Sequence, residues 1–432
     1  MPSPEDLPRD GPKKLDPRRL RLGILRMPSG LHTFDAFSSP AFRFLFLAVS
    51  GAGGGYWIQQ VVVGWLIYDV TESPFLTSVA LGLEAVPLLI MGPFGGFLVD
   101  VFDRRKLLTG VYLYQGTLAI TLAVGVILGY VGSGQIFAFL LLVGFSWVIT
   151  EPARASLTAN IVPEGGLINA YALSTLGWGV TRLVVPVLGG FLIDVLGGGP
   201  TLFLEALLFY VGAIFAFSVR VRGVCTARPK LSAVVPGLLE GARYVRDHRV
   251  VLALLIFGLT TPMLIFPFVT GLLPVYAAEV YHVGPRGLGL LMSISGVGMV
   301  IGTLVVASLG NIRYKGKLIV GSVVMAAISM AALSSTTSYV VGLVILAALN
   351  TIQPFLYTTI QGTVQSIIPD ELRGRISGLS MVTWGAFPVG SIVAGLLAEN
   401  LGVQMATLIG AGILAICLVA LLRIFDFIWR LE

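Results

Sequence analysis

Cysteine is nearly absent. The chain has two: Cys225 in a basic polar stretch and Cys417 in an apolar run, so neither a disulfide framework nor a Cys-based metal site can be built. Histidine is as scarce, and His32, His248 and His282 stand too far apart in sequence to suggest a ligand cluster. Charge is the third shortage: Asp, Glu, Lys and Arg make up 12% of the residues, about half the usual share of a soluble globular chain. No Walker-type lysine loop and no Ser/His/Asp arrangement occurs, so neither ATP hydrolysis nor enzyme activity is expected, and no cofactor is implied. The first 40 residues are polar and rich in Pro and Arg, without the apolar core and small-residue cleavage site of a removable secretory signal.

What the chain has instead is apolar length. Hydrophobic residues form 56% of its 432 residues, and the mean hydropathy is +0.91. A spanning helix needs about 20 largely apolar residues, so this content suffices for about a dozen. Long apolar runs fall near 44–68, 75–99, 106–130, 135–157, 168–192, 201–219, 251–278, 286–309, 317–335, 339–367, 376–398 and 403–425. The pattern predicts an all-α membrane protein with twelve transmembrane helices. Gly and Pro recur inside the runs, as membrane helices tolerate when neighbours cover the freed backbone groups.

The net charge of +6 does not indicate nucleic acid, because the charges are sorted by connection. One side collects Arg9 to Arg26, Arg104–Lys106, the stretch from Arg220 to Arg249, Arg313–Lys317, Arg373 and Arg375. The other holds Asp69, Glu72, Asp194, Glu279 and Glu399 with one basic residue, Arg286. The positive-inside rule then predicts both termini in the cytoplasm, in a multi-pass protein of the cell (plasma or inner) membrane whose basic face contacts anionic lipid.

Spacing adds a repeat. Ile161-Val162-Pro163-Glu164 and Ile367-Ile368-Pro369-Asp370 lie 206 residues apart, while Gly190 and Leu196-Gly197 match Gly395 and Leu401-Gly402 at 205. Two six-helix halves in parallel register fit this offset. The predicted organisation is a tail over 1–40, an N-terminal half over 41–219, a linker over 220–249, a C-terminal half over 250–425 and a tail over 426–432. Within the linker, Pro236 to Arg249 reads as an amphipathic stretch on the membrane surface.

The connection after the second run reads Gly95-Gly96-Phe97-Leu98-Val99-Asp100-Val101-Phe102-Asp103-Arg104-Arg105-Lys106. A Gly four residues before an Asp, followed by a basic cluster, resembles the signature loop of the major facilitator superfamily. Phe42-Arg43, Gly64-Trp65-Leu66-Ile67-Tyr68-Asp69 and Glu371-Leu372-Arg373-Gly374-Arg375 are similar to the drug and siderophore exporters of the enterobactin and macrolide type. Val101 and Asp103 depart from the usual loop. Arg182-Leu183-Val184-Val185-Pro186-Val187-Leu188-Gly189-Gly190 is similar to the antiporter signature, with Val-Pro in place of its Gly-Pro pair.

The resemblance implies the major facilitator fold and a monomer that moves a small-molecule substrate. The leading expectation is proton-coupled export of a hydrophobic or amphipathic compound by alternating access. A lysophospholipid or lipid-like solute transporter, and a non-transporting membrane binding or assembly factor, are the alternatives. Gly96, Asp100, Arg104 and Arg105 are expected to form a conformational latch, with Asp100 against the positive N-terminal end of the eleventh helix. A solvated positive-inside loop is the plainer reading of the same residues.

Ionisable residues at mid-membrane are costly and have a role or a partner. Glu84 in the second run and Arg182 in the fifth each fall roughly 15 Å from the same end of their helices at 1.5 Å per residue. They are candidates for a pair in which Glu84 exchanges the transported proton, or for a permanent structural contact. Glu151 and Arg154, three apart and sharing a face, are read with Arg373 and Arg375 as a cytoplasmic gate or as a local pair. Glu205 reads as an interfacial charge. By resemblance Tyr56, Trp57, Gln60 and Trp147 line the central cavity. Asn350, Gln353 and Tyr357 recur at helical spacing and put a polar face in the bilayer, suited to an adaptable cavity or to interhelical hydrogen bonds.

Overall fold

The computed structural model describes residues 36–162, 167–220, 234–309, 314–369 and 372–431. Every long element among them is a helix. Eleven helical spans among the described residues, some of them broken within, are long and apolar enough to cross a membrane, from Pro74–Gly92 to Val403–Ile424. Pro40–Thr71, here α1, is 32 residues long and is not among the eleven. Its hydropathy is lowered by Gly51, Gly53, Gly54, Gly55, Gln59 and Gln60, all but the first of which are buried.

Proline decides where the other runs stay whole. The second run is two helices, α2 (Pro74–Leu83) and α3 (Val86–Val101), parted at Glu84-Ala85 with Pro87 in the first turn of α3. Pro lacks the N–H that would continue the ladder and clashes with the preceding turn, so it starts a helix more readily than it prolongs one. α4 (Arg104–Ile127), α5 (Ser133–Ile161), α6 (Leu167–Leu196) and α7 (Gly198–Ser218) follow, with Pro152 and Pro186 inside unbroken helices.

The linker contributes α8 (Val234–Asp247), which buries Gly241 and Val245 and exposes Arg243, Arg246 and Asp247. It packs against α3 and another helix from beyond the linker. Three prolines then divide the next span into α9 (Arg249–Thr260), a π-helical turn over Thr261–Ile265, α10 (Phe266–Val269), α11 (Leu273–Val275) and a second π-turn over Tyr276–Val280. After it come α12 (Gly284–Leu309), α13 (Lys315–Ser334), α14 (Tyr339–Ile367), α15 (Arg373–Trp384), α16 (Phe387–Leu401) and α17 (Val403–Ile424). α15 and α16 part at Gly385-Ala386 just before Pro388, as α2 and α3 part before Pro87.

The most extensive seams between the part of the chain before residue 220 and the part after residue 249 are α6 against α12 and α2 against α16, with α3 against α15 next. At the first, a Cβ on Gly289 would strike the Pro186 carbonyl and one on Gly190 the Pro285 carbonyl. Only glycine permits backbones this close. Backbone conformation repeats along the chain as well. Glu72 and His282, 210 residues apart, have φ of 49° and 50°, and Gly197 and Gly402, 205 apart, have φ of 88° and 83°. Each sits at the same kind of junction, just after a span and just before the next helix.

Candidate functional site

The middle of α1 carries Tyr56 and Trp57 into a cluster with Trp147 of α5 and Trp178 of α6. Tyr56 meets Trp147 edge-on at 5.0 Å and stacks on Trp178 at 5.5 Å. Trp57 lies 6.0 Å from Trp178, which is 6.1 Å from Trp147. Offset and edge-to-face aromatic pairs at such separations attract beyond their buried area. Trp147 and Trp178 also border a small cavity with Val49, Tyr112, Glu151 and Arg154. Sequence reasoning missed Trp178. Its signal was the i, i+4 spacing to Arg182, which sets both on one face of α6.

Glu84 sits at the break between α2 and α3. Its two oxygens each accept one bond: from Gln60 Nε2 at 2.9 Å and from Trp147 Nε1 at 2.6 Å. The approach of α5 depends on Gly144, where a Cβ would collide with the Glu84 carbonyl oxygen. One turn further along α5, Trp147 then reaches the carboxyl.

The other intramembrane charge is held elsewhere. Arg182 donates through Nη2 to Asn350 Oδ1 at 3.2 Å and through Nη1 to the Met299 sulfur at 2.9 Å. Its guanidinium lies 5.0 Å above the Trp57 ring. A desolvated cation over Trp is one of the stronger contacts of this kind. Arg182 therefore binds α6 to α1, α12 and α14.

The expected Glu84–Arg182 ion pair is absent among the described residues. The helix break and Gly144 turn Glu84 towards α1 and α5, while Gly296 lets α12 press against the Arg182 backbone and draw its side chain the other way. Both charges thus use neutral partners. Glu205, read as an interfacial charge, is fully buried in α7, and among the described residues neither carboxyl oxygen has a hydrogen-bond partner.

The remaining candidates separate. Asn350 is buried and joined to Arg182, whereas Tyr357 of the same helix is 49% exposed and lies by Trp384, bordering a second cavity with Thr261 and Gln361. Gln353 is half-buried between them along α14. Glu151 and Arg154 form an ion pair within one turn. Asp100 pairs with Arg104 at 3.8 Å, and Arg105 lies over the Phe217 ring at 5.1 Å. Gly96 has open space around it, and its neighbour Gly95 is the one pressed on α5, against the Val148 carbonyl. Arg373 and Arg375 open α15, and their side chains lie outside the described residues, as do Pro163, Glu164 and Asp370 of the repeated motif. Asp103 acts locally, its side chain accepting from the Arg105 and Lys106 amides at 2.9 and 3.1 Å and so capping α4.

The sequence model of the transmembrane secretion effectors, a family of the major facilitator superfamily, matches residues 31–427. The chain belongs to this family. Among its relatives, the multidrug efflux pump Tap of Mycobacterium tuberculosis is 27% identical over 404 residues, covering 88% of this chain and 91% of that protein. Macrolide efflux protein A of Streptococcus pyogenes is 24% identical over 387 residues, covering 87% and 93%. Among solved structures, the nucleoside transporter NupG superimposes with a TM-score of 0.69 at 14% identity, covering 89% of this chain and 99% of that one. This likeness bears on the fold: a multi-pass helical membrane protein of the major facilitator kind. The relatives are membrane transporters rather than enzymes.

Proposed function

We propose that the chain is a proton-coupled secondary exporter of hydrophobic or amphipathic organic compounds, drug- or siderophore-like in chemistry. The carrying observation is Glu84. It is a buried carboxyl whose two donors come from the two helices that also supply Tyr56 and Trp147 to the aromatic cluster. A proton arriving at either oxygen competes with one of these donors. Protonation and the α1–α2–α5 contact are therefore linked, and a ligand entering between Tyr56, Trp147 and Trp178 would disturb the same bonds. Aromatic faces with a few polar groups suit a large, partly apolar cargo. The efflux relatives support the direction of transport.

On this reading α1 is a twelfth span, whose polar interior is the price of lining the path. The twelve spans form two six-helix halves, over 41–219 and 250–425, joined by the linker over 220–249. The matched backbone conformations at 72/282 and 197/402, and the paired seams α6–α12 and α2–α16, support a parallel repeat. The halves rock about Glu84, Arg182 and the cluster, with Asn350, Gln353 and Tyr357 on the opposing wall. The Glu151–Arg154 pair, Arg373 and Arg375 guard the cytoplasmic mouth, and the connection from Gly96 to Arg105 acts as a latch. Both termini are cytoplasmic, the basic face touches anionic lipid in the plasma or inner membrane, and the unit is a monomer.

Uptake of a panel of drugs and siderophores into inverted vesicles, with and without an imposed pH gradient, tests this. Gradient-driven accumulation that disappears in Glu84→Gln is the expected result. Accumulation indifferent to both the gradient and the substitution rejects proton coupling.

A further inference from the structure

Between α1 and α7 lies a second set of buried polar atoms that the Glu84 site does not use. α1 and α7 run antiparallel in close contact: a Cβ on Gly51 would meet the Leu208 carbonyl and Gly212, one on Gly55 would meet the Glu205 carbonyl and Phe209, and Gly198 faces Val62. Glu205 is therefore level with Gly55. Its side chain leans towards the N-terminus of α7, which is the direction of Gln59, one turn along α1. Both residues are fully buried. Among the described residues, neither oxygen of Glu205 and neither polar atom of the Gln59 amide has a hydrogen-bond partner.

No described ion pair involves Glu205. The titratable groups on the surrounding helices leave it without a cation. Tyr56 of α1 stacks on Trp178, and Tyr112 of α4 packs on Phe209. Arg43, Tyr68 and Asp69 of α1, Arg104, Arg105 and Lys106 of α4, and Asp194 of α6 lie near helix ends. Tyr114 of α4 and Tyr171 of α6 are bonded to α5 carbonyls, Tyr210 of α7 to Thr117, and Arg182 of α6 to Asn350. An ionised carboxylate cannot persist in such surroundings, and the group neutralises instead.

We infer that Glu205, set against Gln59 across the α1–α7 seam, is a second intramembrane proton site, occupied by a proton when Glu84 is held by its two donors. The contrast with Glu84 is in the donors: Glu84 has two and Glu205 none, so only at Glu205 must a bound proton take their place. The O–H of the neutral acid and the Gln59 amide are complementary, and with the α1 and α7 backbones already in glycine contact it is side-chain rotation, not a closer approach of the helices, that would pair them. Gln60 bonds Glu84 from the next position of α1, so the tandem amides Gln59 and Gln60 lie between two carboxyls. Movement of α1 during transport would act on both. Only that last link to transport rests on the exporter reading; proton occupancy at Glu205 does not.

Infrared difference spectroscopy of the purified full chain in lipid nanodiscs, in H2O and D2O at neutral pH, tests it. The C=O stretch of a dry, protonated carboxyl is expected in the wild type, retained in Glu84→Gln and lost in Glu205→Gln. Gln59→Leu is expected to shift its frequency. A band absent from the wild type, or unchanged in Glu205→Gln, overturns the inference. Should Glu205→Gln not fold, the band is followed in Glu84→Gln on raising the pH: survival after the exposed carboxyls have ionised supports the site, and loss together with them overturns it. Gradient-driven uptake is scored separately, so the exporter reading and this site can fail independently.

Discussion

At the end of the bundle that carries Glu72, Asp194, Glu279 and Glu399, side chains tie together parts of the chain that are distant in sequence. The Tyr68 hydroxyl donates to Glu279 at 2.9 Å, while the Ser73 hydroxyl and the Phe75 amide donate to one oxygen of Glu399 at 2.9 and 3.1 Å. Arg286 reaches Asp194 at 2.6 Å and lies over the Phe191 ring. At the opposite, basic end, the described ion pairs are local: Asp100–Arg104, Glu151–Arg154 and Arg246–Asp247 span four residues or fewer. A local pair survives separation of the helices around it, whereas a pair between distant segments does not. The acidic end thus carries bonds between distant segments, which any separation of those segments would break. The described pairs of the basic end would survive a separation of its helices.

Glu84, between the two ends, should give the largest effect when removed. Glu84→Ala strands the Gln60 and Trp147 donors, and leaving two buried donors unpaired costs about 2–4 kcal/mol. Glu84→Gln keeps an acceptor for one of them and should cost about half as much. Thermal unfolding in detergent, compared across the two variants, reads the difference. Equal losses would mean that the two bonds do not stabilise the break.

Next comes the seam of the acidic end. Gly289→Leu places a side chain against the Pro186 carbonyl, and overpacking of this kind costs about 1–3 kcal/mol. Because the strain is relieved when α6 and α12 part, the variant should populate states open at the acidic end. Distances between spin labels placed beyond Asp194 and Glu279 should lengthen, and an unchanged distribution would show that the seam does not hold this end. Glu399→Gln should have a smaller effect of the same sign. It replaces charge-assisted bonds from Ser73 and Phe75 with neutral ones at an exposed position, a loss of about 1 kcal/mol or less. The same label pair measures it.

Depth along the helices was legible in the sequence, and angular position around them was not. Hydropathy and charge sorting located the apolar runs because both vary along the chain. They do not say which way a side chain points once helices pack, and burial inside a bundle depends on that. Glu205 therefore read as interfacial although it is fully buried, and Arg182 was matched to Glu84 by depth although it faces α12 and α14. The aromatic cluster was three-quarters visible. Tyr56, Trp57 and Trp147 were found through their helices, but Trp178 needed the α6 face that it shares with Arg182. α1 is less apolar than the eleven spans because its buried Gly, Gln and aromatic residues serve neighbours rather than lipid.

The smallest effect on stability is expected at the basic end, where it decides between two readings of the signature connection. The Asp100–Arg104 pair is at 3.8 Å with the Asp100 side chain 48% exposed, and solvated pairs of this kind contribute about 0–1 kcal/mol. Asp100→Asn should leave the unfolding temperature nearly unchanged. If the connection acts only within itself, transport should be equally unaffected, since α4 keeps its Asp103 cap. If Asp100 also engages the positive N-terminal end of α15 while the basic end is shut, removing its charge weakens that closure without touching the acidic end. Transport should then fall, and single cysteines introduced at the basic end should become more reactive to a soluble thiol reagent while those introduced near Asp194 do not. Loss of transport with unchanged reactivity at both ends would argue against a latch and place the role of Asp100 elsewhere.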